Sequence, residues 1–145
     1  MELHSTSFGD DGTIGPQFGK KADNISPQLS WSGAPKRTAS FVLTMVDLDP
    51  IARGYVHWVV TGIPADVSEL PENAAATGLP PGAHESRGYA GPFPPSGTHE
   101  YEFTLYAVGR AADVPAKATL DQILHAIDPH VMARAKLVAS FTKPS

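Results

Sequence analysis

The amino-acid sequence predicts a single, mainly β domain, and three observations support that fold class. The 145 residues include 13 glycines and 14 prolines, a composition that favours many short turns over long helices. Strand patterns occur at residues 41–46, 57–61 and 101–108, whereas helical periodicity is confined to the region near the C-terminus. Hydrophobic residues make up 41% of the chain and charged residues 18%, so one globular domain over residues 1–145 can bury a core without disulfides.

The strands in the first half of the chain are followed by recognisable turn signals. Residues 28–31 predict a short strand after a turn-rich N-terminal region. Residues 41–46 are almost entirely apolar, which is typical of a strand buried on both faces. The proline in Asp47-Leu-Asp-Pro50 predicts where that strand ends. Residues 57–61 predict a further strand, closed by Gly62 and Pro64.

Residues 65–87 form a long polar connection, and a connection of this length inside one domain is usually functional or locally structured. In residues 101–108 polar and apolar side chains alternate, which predicts a half-buried antiparallel strand. One face of that strand carries Tyr101, Phe103, Leu105 and Ala107, and the other carries Glu100, Glu102 and Thr104.

The C-terminal region predicts two short helices followed by a final strand. Thr119 and Gln122 form the pattern of a capping box. An apolar stripe with helical spacing follows, made by Leu120, Ile123, Leu124 and Ile127. Asp128-Pro129 is typical of the start of a second short helix, with the aspartate as N-cap. Residues 137–142 then predict a terminal strand.

Charge and composition argue against several classes of function. The net charge is −4, and the sequence has no run of lysines and arginines that could form a basic face, so we expect no nucleic-acid partner. The chain has no cysteine, which excludes disulfides, thiol nucleophiles and zinc–thiolate sites. No apolar run approaches the roughly 20 residues of a membrane span, and the first residues lack the features of a signal peptide. We therefore expect no integral membrane association and a cytoplasmic location.

Polar side chains with binding chemistry stand at the predicted strand ends. Asp47 follows one strand, and His57 opens another. His99 and Tyr101 share a face where the Gly/Pro-rich segment 88–97 enters a third strand. If the apolar faces of these strands meet in one core, the polar side chains at their ends meet at its rim.

Such a cluster predicts a small anion-binding pocket. A protonated imidazole, a phenol and the backbone N–H groups of a Gly/Pro turn all donate to anions, so a phosphate or a carboxylate fits. An aspartate can orient a histidine and favour its charged form. A plainer interpretation stays open for each residue: Asp47 ends a strand, His57 is a core histidine and His99 begins a strand.

Motifs for catalysis and for metal binding are missing from the sequence. There is no Gly-x-Ser-x-Gly nucleophile turn and no phosphate-binding Gly-x4-Gly-Lys loop. His-x3-His spacing and an Asp-x-Asp-x-Asp calcium loop are also missing. We therefore predict no catalytic residue, no metal ligand and no cofactor.

Four segments, in order and with suitable spacing, carry a family pattern. They are residues 24–35, which begin Asn-Ile-Ser-Pro, residues 47–50, residues 57–60 and residues 88–103. The last of these reads Gly-x-x-Gly-Pro-x-Pro-Pro-x-Gly-x-His-x-Tyr-x-Phe. Together they resemble the phosphatidylethanolamine-binding proteins, in the bacterial and archaeal branch often labelled Raf-kinase-inhibitor-like.

The resemblance implies a large antiparallel sheet packed with a smaller sheet, and a small pocket for phosphate-like head groups. It implies pocket residues at Asp47, His57, His99 and Tyr101, a loop wall at Gly91, Pro94 and Pro95, and a pocket aromatic at Tyr55. The family has Asp-Pro-Asp-x-Pro where this chain has Leu48 in place of the first proline and Ile51 in place of the second, so we expect a different wall there. The sequence shows no counterpart of the C-terminal helix that covers the pocket in animal members. The kinase-regulating role of those members therefore does not carry over, and a homodimer is one arrangement that the resemblance implies.

These observations predict a non-catalytic binding protein with a pocket for a phosphate-bearing or carboxylate ligand, with a regulatory role as one option. Two alternatives stay open. The first is a protein inhibitor of a peptidase or a kinase, in which the pocket anchors a side chain or a terminus of the protein target. The second is a hydrolase built on the aspartate and histidine cluster, which the lack of a nucleophile motif disfavours.

Overall fold

The computed structural model describes residues 1–9, 11–111, 114–115 and 117–144. In this part of the chain the strands are β1 (Glu2–His4), β2 (Leu29–Ser32), β3 (Ser40–Asp47), β4 (Val56–Pro64), β5 (Glu69–Leu70), β6 (His84–Arg87), β7 (Thr98–Val108) and β8 (Val131–Thr142). The α-helices are α1 (Ala74–Thr77) and α2 (Leu120–Ile127), and 3-10 helices lie at Pro16–Phe18, Pro50–Ala52 and Asp128–His130.

Two antiparallel sheets build the domain, which confirms the predicted fold class. The smaller sheet has the strand order β1-β2-β5, and the larger has the order β6-β4-β3-β7-β8. The central strand β3 is hydrogen-bonded to β4 on one side and to β7 on the other. Because neighbouring strands are antiparallel, the end of β3 lies beside the starts of β4 and β7.

β3 is buried on both faces, which confirms the prediction made from its apolar run. One face contributes Phe41, Leu43 and Met45 to a core shared with the smaller sheet. The other face contributes Val42 to a second cluster, together with Ile123 of α2. The helix thus covers the outer face of the larger sheet near its centre.

β7 follows the predicted half-buried pattern only over its first part. There Glu100 is exposed and Tyr101 is buried, as the alternation requires. Further along, Thr104 is buried, although the pattern placed it on the solvent face. Tyr106 and Val108 on that same face pack with the cluster of α2. Because the helix covers this face, the second part of β7 is buried on both faces.

The connection over residues 65–87 is locally structured, which is one of the two outcomes expected for it. It contains β5, α1 and β6, and β6 pairs with β4 at the edge of the larger sheet. The prediction that this strand ends at Thr61 was wrong, because β4 continues through Gly62 to Pro64. Gly62 has a φ of 68° where the β3–β4 register shifts, so it forms a bulge within the strand.

The start of α2 is capped as predicted. Gln122 N–H donates to Thr119 Oγ1 at 3.2 Å, and Thr119 N–H donates to Gln122 Oε1 at 2.9 Å. The second predicted helix is the 3-10 helix Asp128–His130, which continues directly from α2, so Asp128 is its first residue and not an N-cap. None of the described helices is long and apolar enough to cross a membrane.

β8 is an edge strand and is longer than the predicted residues 137–142. It pairs with β7 along the full length of that strand. Arg134 and Lys136 are exposed and alternate with buried or half-buried neighbours. Charged side chains of this kind are common on edge strands. They interrupt the apolar pattern in the first half of β8, so the sequence predicted only its second half.

Candidate functional site

A small cavity opens where β3 ends and where β4 and β7 begin. Its volume is about 130 Å3, and its lining consists of Asp47, Ile51, Ala52, Tyr55, His57, Phe93, Pro94, Pro95 and His99. Six of the eight residues predicted for the pocket belong to this lining. The other two, Gly91 and Tyr101, lie outside it.

Asp47 and His99 form a buried pair in the wall of the cavity. His99 Nδ1–H donates to Asp47 Oδ2 at 2.7 Å, and both side chains are almost completely buried. The pairing follows from the β3–β7 register, in which Asp47 lies opposite Tyr101, two residues from His99. The other carboxylate oxygen of Asp47 accepts a hydrogen bond from Asp49 N–H at 2.8 Å. Asp47 thereby fixes both the ring of His99 and the turn that follows β3.

Asp49 places a second carboxylate beside His99. Its Oδ1 accepts a hydrogen bond from Ile51 N–H at 3.0 Å and caps the 3-10 helix Pro50–Ala52. Its Oδ2 lies 3.6 Å from His99 Nε2, and its side chain is 33% exposed. Since 3.6 Å is too long for a hydrogen bond, Asp49 is held by the turn more firmly than by the histidine.

Leu48 and Ile51, the positions at which the chain departs from the family pattern, have different surroundings. Leu48 N–H donates to Glu100 O at 2.8 Å, a hydrogen bond that a proline could not donate. Ile51 lines the cavity and is 67% exposed. The segment after β3 therefore has one backbone bond to β7 that a proline at position 48 would lack, and Ile51 presents an aliphatic side chain to the cavity.

His57 reaches the cavity from the start of β4, and the loop that faces it fixes its orientation. Because a carbonyl can only accept, His57 Nδ1–H donates to Ala90 O, at 2.5 Å, and Ala90 N–H donates to His57 O at 2.9 Å. Burial lowers the pKa of His57 below its usual 6.5, and the hydrogen bond to Ala90 offsets this only in part. The ring is therefore neutral at pH 7, with Nε2 as its remaining hydrogen-bonding atom.

Asn24 holds the loop that orients His57. Its side chain accepts a hydrogen bond from Gly91 N–H at 2.7 Å and donates to Tyr89 O at 3.1 Å. These two bonds flank Ala90, the residue that contacts His57. Asn24 has a φ of 54°, a conformation that asparagine adopts more readily than most residues. It was not predicted as a site residue, because its role depends on contacts 67 positions away.

Gly91 contributes to the site through close packing of the backbone. A Cβ at Gly91 would lie 2.0 Å from Phe18 O and 2.9 Å from Lys20 N, so only glycine allows this approach. Tyr89 Oη donates to Phe18 O at 2.8 Å, and Lys20 N–H donates to Pro92 O at 3.1 Å. These bonds fasten the loop on both sides of the close contact.

Tyr101 lies beneath the cavity. Its side chain is fully buried, and its ring centroid is 5.1 Å from that of His57 and 6.4 Å from that of His99. Among the described residues, its hydroxyl is the one buried side-chain polar atom without a hydrogen-bond partner in the protein. Burial raises the pKa of Tyr101, and the charge of Asp47 raises it further, although the hydroxyl makes no hydrogen bond with that carboxylate. Tyr101 is therefore a neutral phenol packed against both histidines.

Aromatic rings and two cations surround the mouth of the cavity. The ring centroid of Phe93 is 5.2 Å from that of Tyr55 and 5.5 Å from that of His57. Lys20 Nζ lies 4.5 Å from the centroid of Phe93. The Arg87 guanidinium lies 5.3 Å from the centroid of Tyr55, and its Nη2 donates to Tyr55 Oη at 3.0 Å. The positive charges thus stand against the aromatic walls, near the cavity but outside its lining.

Two lining residues, Phe93 and Ala52, were not predicted, whereas Ile51 stands where the family resemblance implied a different wall. Phe93 stands in the segment of residues 91–95, where the flanking prolines restrict the backbone. Its position between these prolines could have predicted it as a lining residue. Ile51 and Ala52 reach the cavity through the 3-10 helix Pro50–Ala52, which the sequence did not predict. Within the described ranges, no group of three or more histidine or acidic side chains is arranged to hold a metal ion.

Several known proteins similar to this chain match it over nearly its whole length. The sequence profile of the family described as phosphatidylethanolamine-binding protein matches residues 4–142. A UPF0098 protein of Methanothermobacter thermautotrophicus is 37% identical over 150 residues, which cover 99% of this chain and 99% of that relative.

Solved structures share the fold over the same extent. The crystal structure of Escherichia coli YbcL, described as a new member of the mammalian PEBP family, has a TM-score of 0.88 at 27% identity and covers 99% of this chain and 98% of YbcL. CT736 of Chlamydia trachomatis has a TM-score of 0.86 at 30% identity, with coverage of 99% and 97%. From the profile match and the relative that is 37% identical, the chain belongs to the phosphatidylethanolamine-binding protein family.

Proposed function

We propose that this chain is a non-catalytic binding protein whose first cavity holds a small anion, either a phosphate group or a carboxylate. Membership of a family described by ligand binding supports the general role. The observation that supports anion binding is the orientation of the two histidines. His57 Nδ1–H donates a hydrogen bond to Ala90 O, and His99 Nδ1–H donates one to Asp47 Oδ2. Nε2 is therefore the remaining hydrogen-bonding atom of each ring, and both rings line the same cavity.

Proton uptake links this arrangement to anion binding. Burial lowers the pKa of His57, so Nε2 of the free protein is an acceptor at neutral pH. A bound anion favours a proton on Nε2, because the charged ring both donates a hydrogen bond and attracts the anion. Anion affinity is therefore expected to rise as the pH falls. Lys20 and Arg87 beside the aromatic walls add positive potential at the mouth.

The two carboxylates of the site oppose an anion, but their hydrogen bonds limit that effect. Asp47 is engaged by His99 and by the backbone of Asp49. Oδ2 of Asp49 makes no hydrogen bond with His99 Nε2, which lies 3.6 Å away, and the side chain is one-third exposed, so an anion can displace Oδ2 from the ring while Oδ1 keeps its bond to Ile51 N–H. The volume of about 130 Å3 has room for about four water molecules at roughly 30 Å3 each, which suits an oxyanion.

Isothermal titration calorimetry with inorganic phosphate, phosphoethanolamine and acetate, at about pH 6 and about pH 7, tests the proposal. We expect the phosphate compounds to bind, and to bind more tightly at the lower pH. His57→Asn and His99→Asn each keep a donor near the position of Nδ1 and remove Nε2, so we expect both to weaken binding by at least about tenfold. His125→Gln, on the exposed side of α2, is the control. Binding of none of the three ligands, or unchanged binding by His99→Asn, would overturn the proposal.

A further inference from the structure

A second cavity adjoins the first and shares Phe93 and Pro94 with it. We call it the lysine groove and define it by Lys21, Ala22, Phe93, Pro94, Phe141 and Lys143. Its volume is about 300 Å3, against about 130 Å3 for the first cavity. This volume reaches the lower end of the range of small-molecule sites, whereas the volume of the first cavity does not.

The floor of the lysine groove is apolar and rigid. Phe141 is buried and Phe93 is half-buried, and prolines at positions 16, 92, 94 and 144 supply further surface. None of the lining residues is acidic, and none is a histidine. Proline and aromatic side chains lose little freedom when a ligand packs on them, so an apolar group can bind there without a large cost of ordering.

Positive charge is concentrated around the lysine groove. Lys21 and Lys143 line it, and Lys20 Nζ lies 4.5 Å from the ring of Phe93. Lys143 Nζ donates one of its hydrogen bonds to Pro95 O at 3.0 Å, which holds its ammonium group beside the groove. These are three of the 11 lysines and arginines of a chain with net charge −4. The fold brings them together, because Lys143 is remote from the other two in sequence.

We propose that the lysine groove is a second binding site, for a small hydrophobic carboxylate such as an arylalkanoic acid. The aryl or alkyl part replaces water on Phe141 and Phe93, which supplies most of the affinity. The carboxylate reaches the ammonium groups at the rim, and this charge complementarity selects the acid over a neutral compound of the same shape. No histidine lines the groove, so this binding is independent of the histidines that hold the anion in the first cavity.

An NMR titration with 3-phenylpropionate tests this proposal, with 3-phenylpropanol and acetate as matched partial ligands. We expect the acid to shift the backbone signals of Phe141 and Lys143, and to bind at least about fivefold more tightly than the alcohol or acetate. The double variant Lys21→Gln/Lys143→Gln should lose at least about fivefold in affinity for the acid. Lys36→Gln, an exposed lysine outside the groove, should change it by less than about twofold.

Ala22→Leu is a second test that leaves every charge in place. Ala22 is exposed and lines the groove, so a larger side chain there fills the space and should also weaken binding of the acid. Equal affinity for 3-phenylpropanol, or wild-type affinity in both the lysine and the Ala22 variants, would overturn the proposal. So would signal shifts centred on His57 together with weaker binding by His57→Asn. That last result would place the acid in the first cavity, and the proposal of anion binding there would still stand. If phosphate binding alone were absent, the proposal for the lysine groove would still stand.

Discussion

Asp47 Oδ2 lies 2.7 Å from His99 Nδ1, and both side chains are almost completely buried. This pair joins the end of β3 to the start of β7 and fixes a ring that lines the first cavity. Removing one partner of a buried polar pair leaves the other without a hydrogen bond, which is costly. The pair therefore stabilises both the fold and the proposed site. Asp49 is more exposed and makes no hydrogen bond with His99, so it does not stabilise them through the ring.

Substitution of the two aspartates should have opposite effects on anion binding. Asp47→Asn keeps an acceptor for only one of the two donors, His99 Nδ1–H and Asp49 N–H, so we expect the free energy of unfolding to fall by about 1–3 kcal/mol and phosphate binding to weaken. Asp49→Asn removes a negative charge 3.6 Å from His99 Nε2 and keeps an oxygen for Ile51 N–H. We expect it to tighten phosphate binding by about threefold at low salt, with little loss of stability. Urea unfolding and calorimetry measure both effects, and weaker phosphate binding by Asp49→Asn would contradict its role as a competing charge.

The buried imidazole of His57 should make stability depend on pH. Because its pKa is lowered in the folded protein from 6.5, the unfolded chain takes up a proton below that pH more readily than the folded chain does. The contribution of His57 is therefore complete above pH 6.5 and is lost as the pH falls below 6.5 through the lowered folded value. Denaturant unfolding between about pH 7.5 and about pH 5 measures this. Wild type should lose more stability over that range than His57→Asn, and equal losses would contradict the lowered pKa.

Asn24→Gly should disturb His57 through the loop. Glycine accepts the positive φ of this position but removes both side-chain hydrogen bonds that flank Ala90. We expect the free energy of unfolding to fall by about 1–2 kcal/mol and the 15N signals of the His57 ring to shift. Asn73→Gly is the matched control, because Asn73 also has a positive φ, of 68°, without a side-chain capping bond. Unchanged His57 signals in Asn24→Gly would show that other contacts hold the loop.

Two glycines in one segment should respond very differently to alanine. At Gly91 the added Cβ meets Phe18 O, a backbone atom, at 2.0 Å, so we expect a loss of roughly 3 kcal/mol or more. At Gly88 nothing lies within 4 Å of the added Cβ, so the change should stay within about 0.5 kcal/mol. Thermal unfolding followed by circular dichroism compares the two variants. A neutral Gly91→Ala would mean that the loop can withdraw from Phe18 without cost.

The partnership of Asp47 and His99 could be predicted because it follows from strand periodicity. Both residues have the parity of the core-facing side chains of their strands, and an antiparallel pair brings the two strand ends together. The burial of β3 on both faces and the capping box at Thr119 could be predicted from short patterns of neighbouring residues. Asp47 and His99 are 52 positions apart, but each stands at a strand end that a local pattern predicts, so their meeting requires only that the two strands pair.

Features that depend on contacts between distant segments outside the paired strands could not be predicted. Asn24 reaches Gly91 across 67 positions, and Lys143 joins Lys21 in the groove only because of the way the fold places the end of β8. Tyr101 was expected to line the pocket with His99, whose face it shares. Tyr101 lies two residues further into the strand than His99, beneath the cavity, where it is fully buried. Its part in binding stays a prediction.

The central claim is that an anion binds beside the Nε2 atoms of His57 and His99. The most direct test is the pKa of His57, measured by NMR titration of its ring signals with and without inorganic phosphate at constant ionic strength. We expect phosphate to raise the pKa of His57 from its lowered value, because the bound anion favours the charged ring. A His57 pKa that is the same with and without phosphate would contradict the claim.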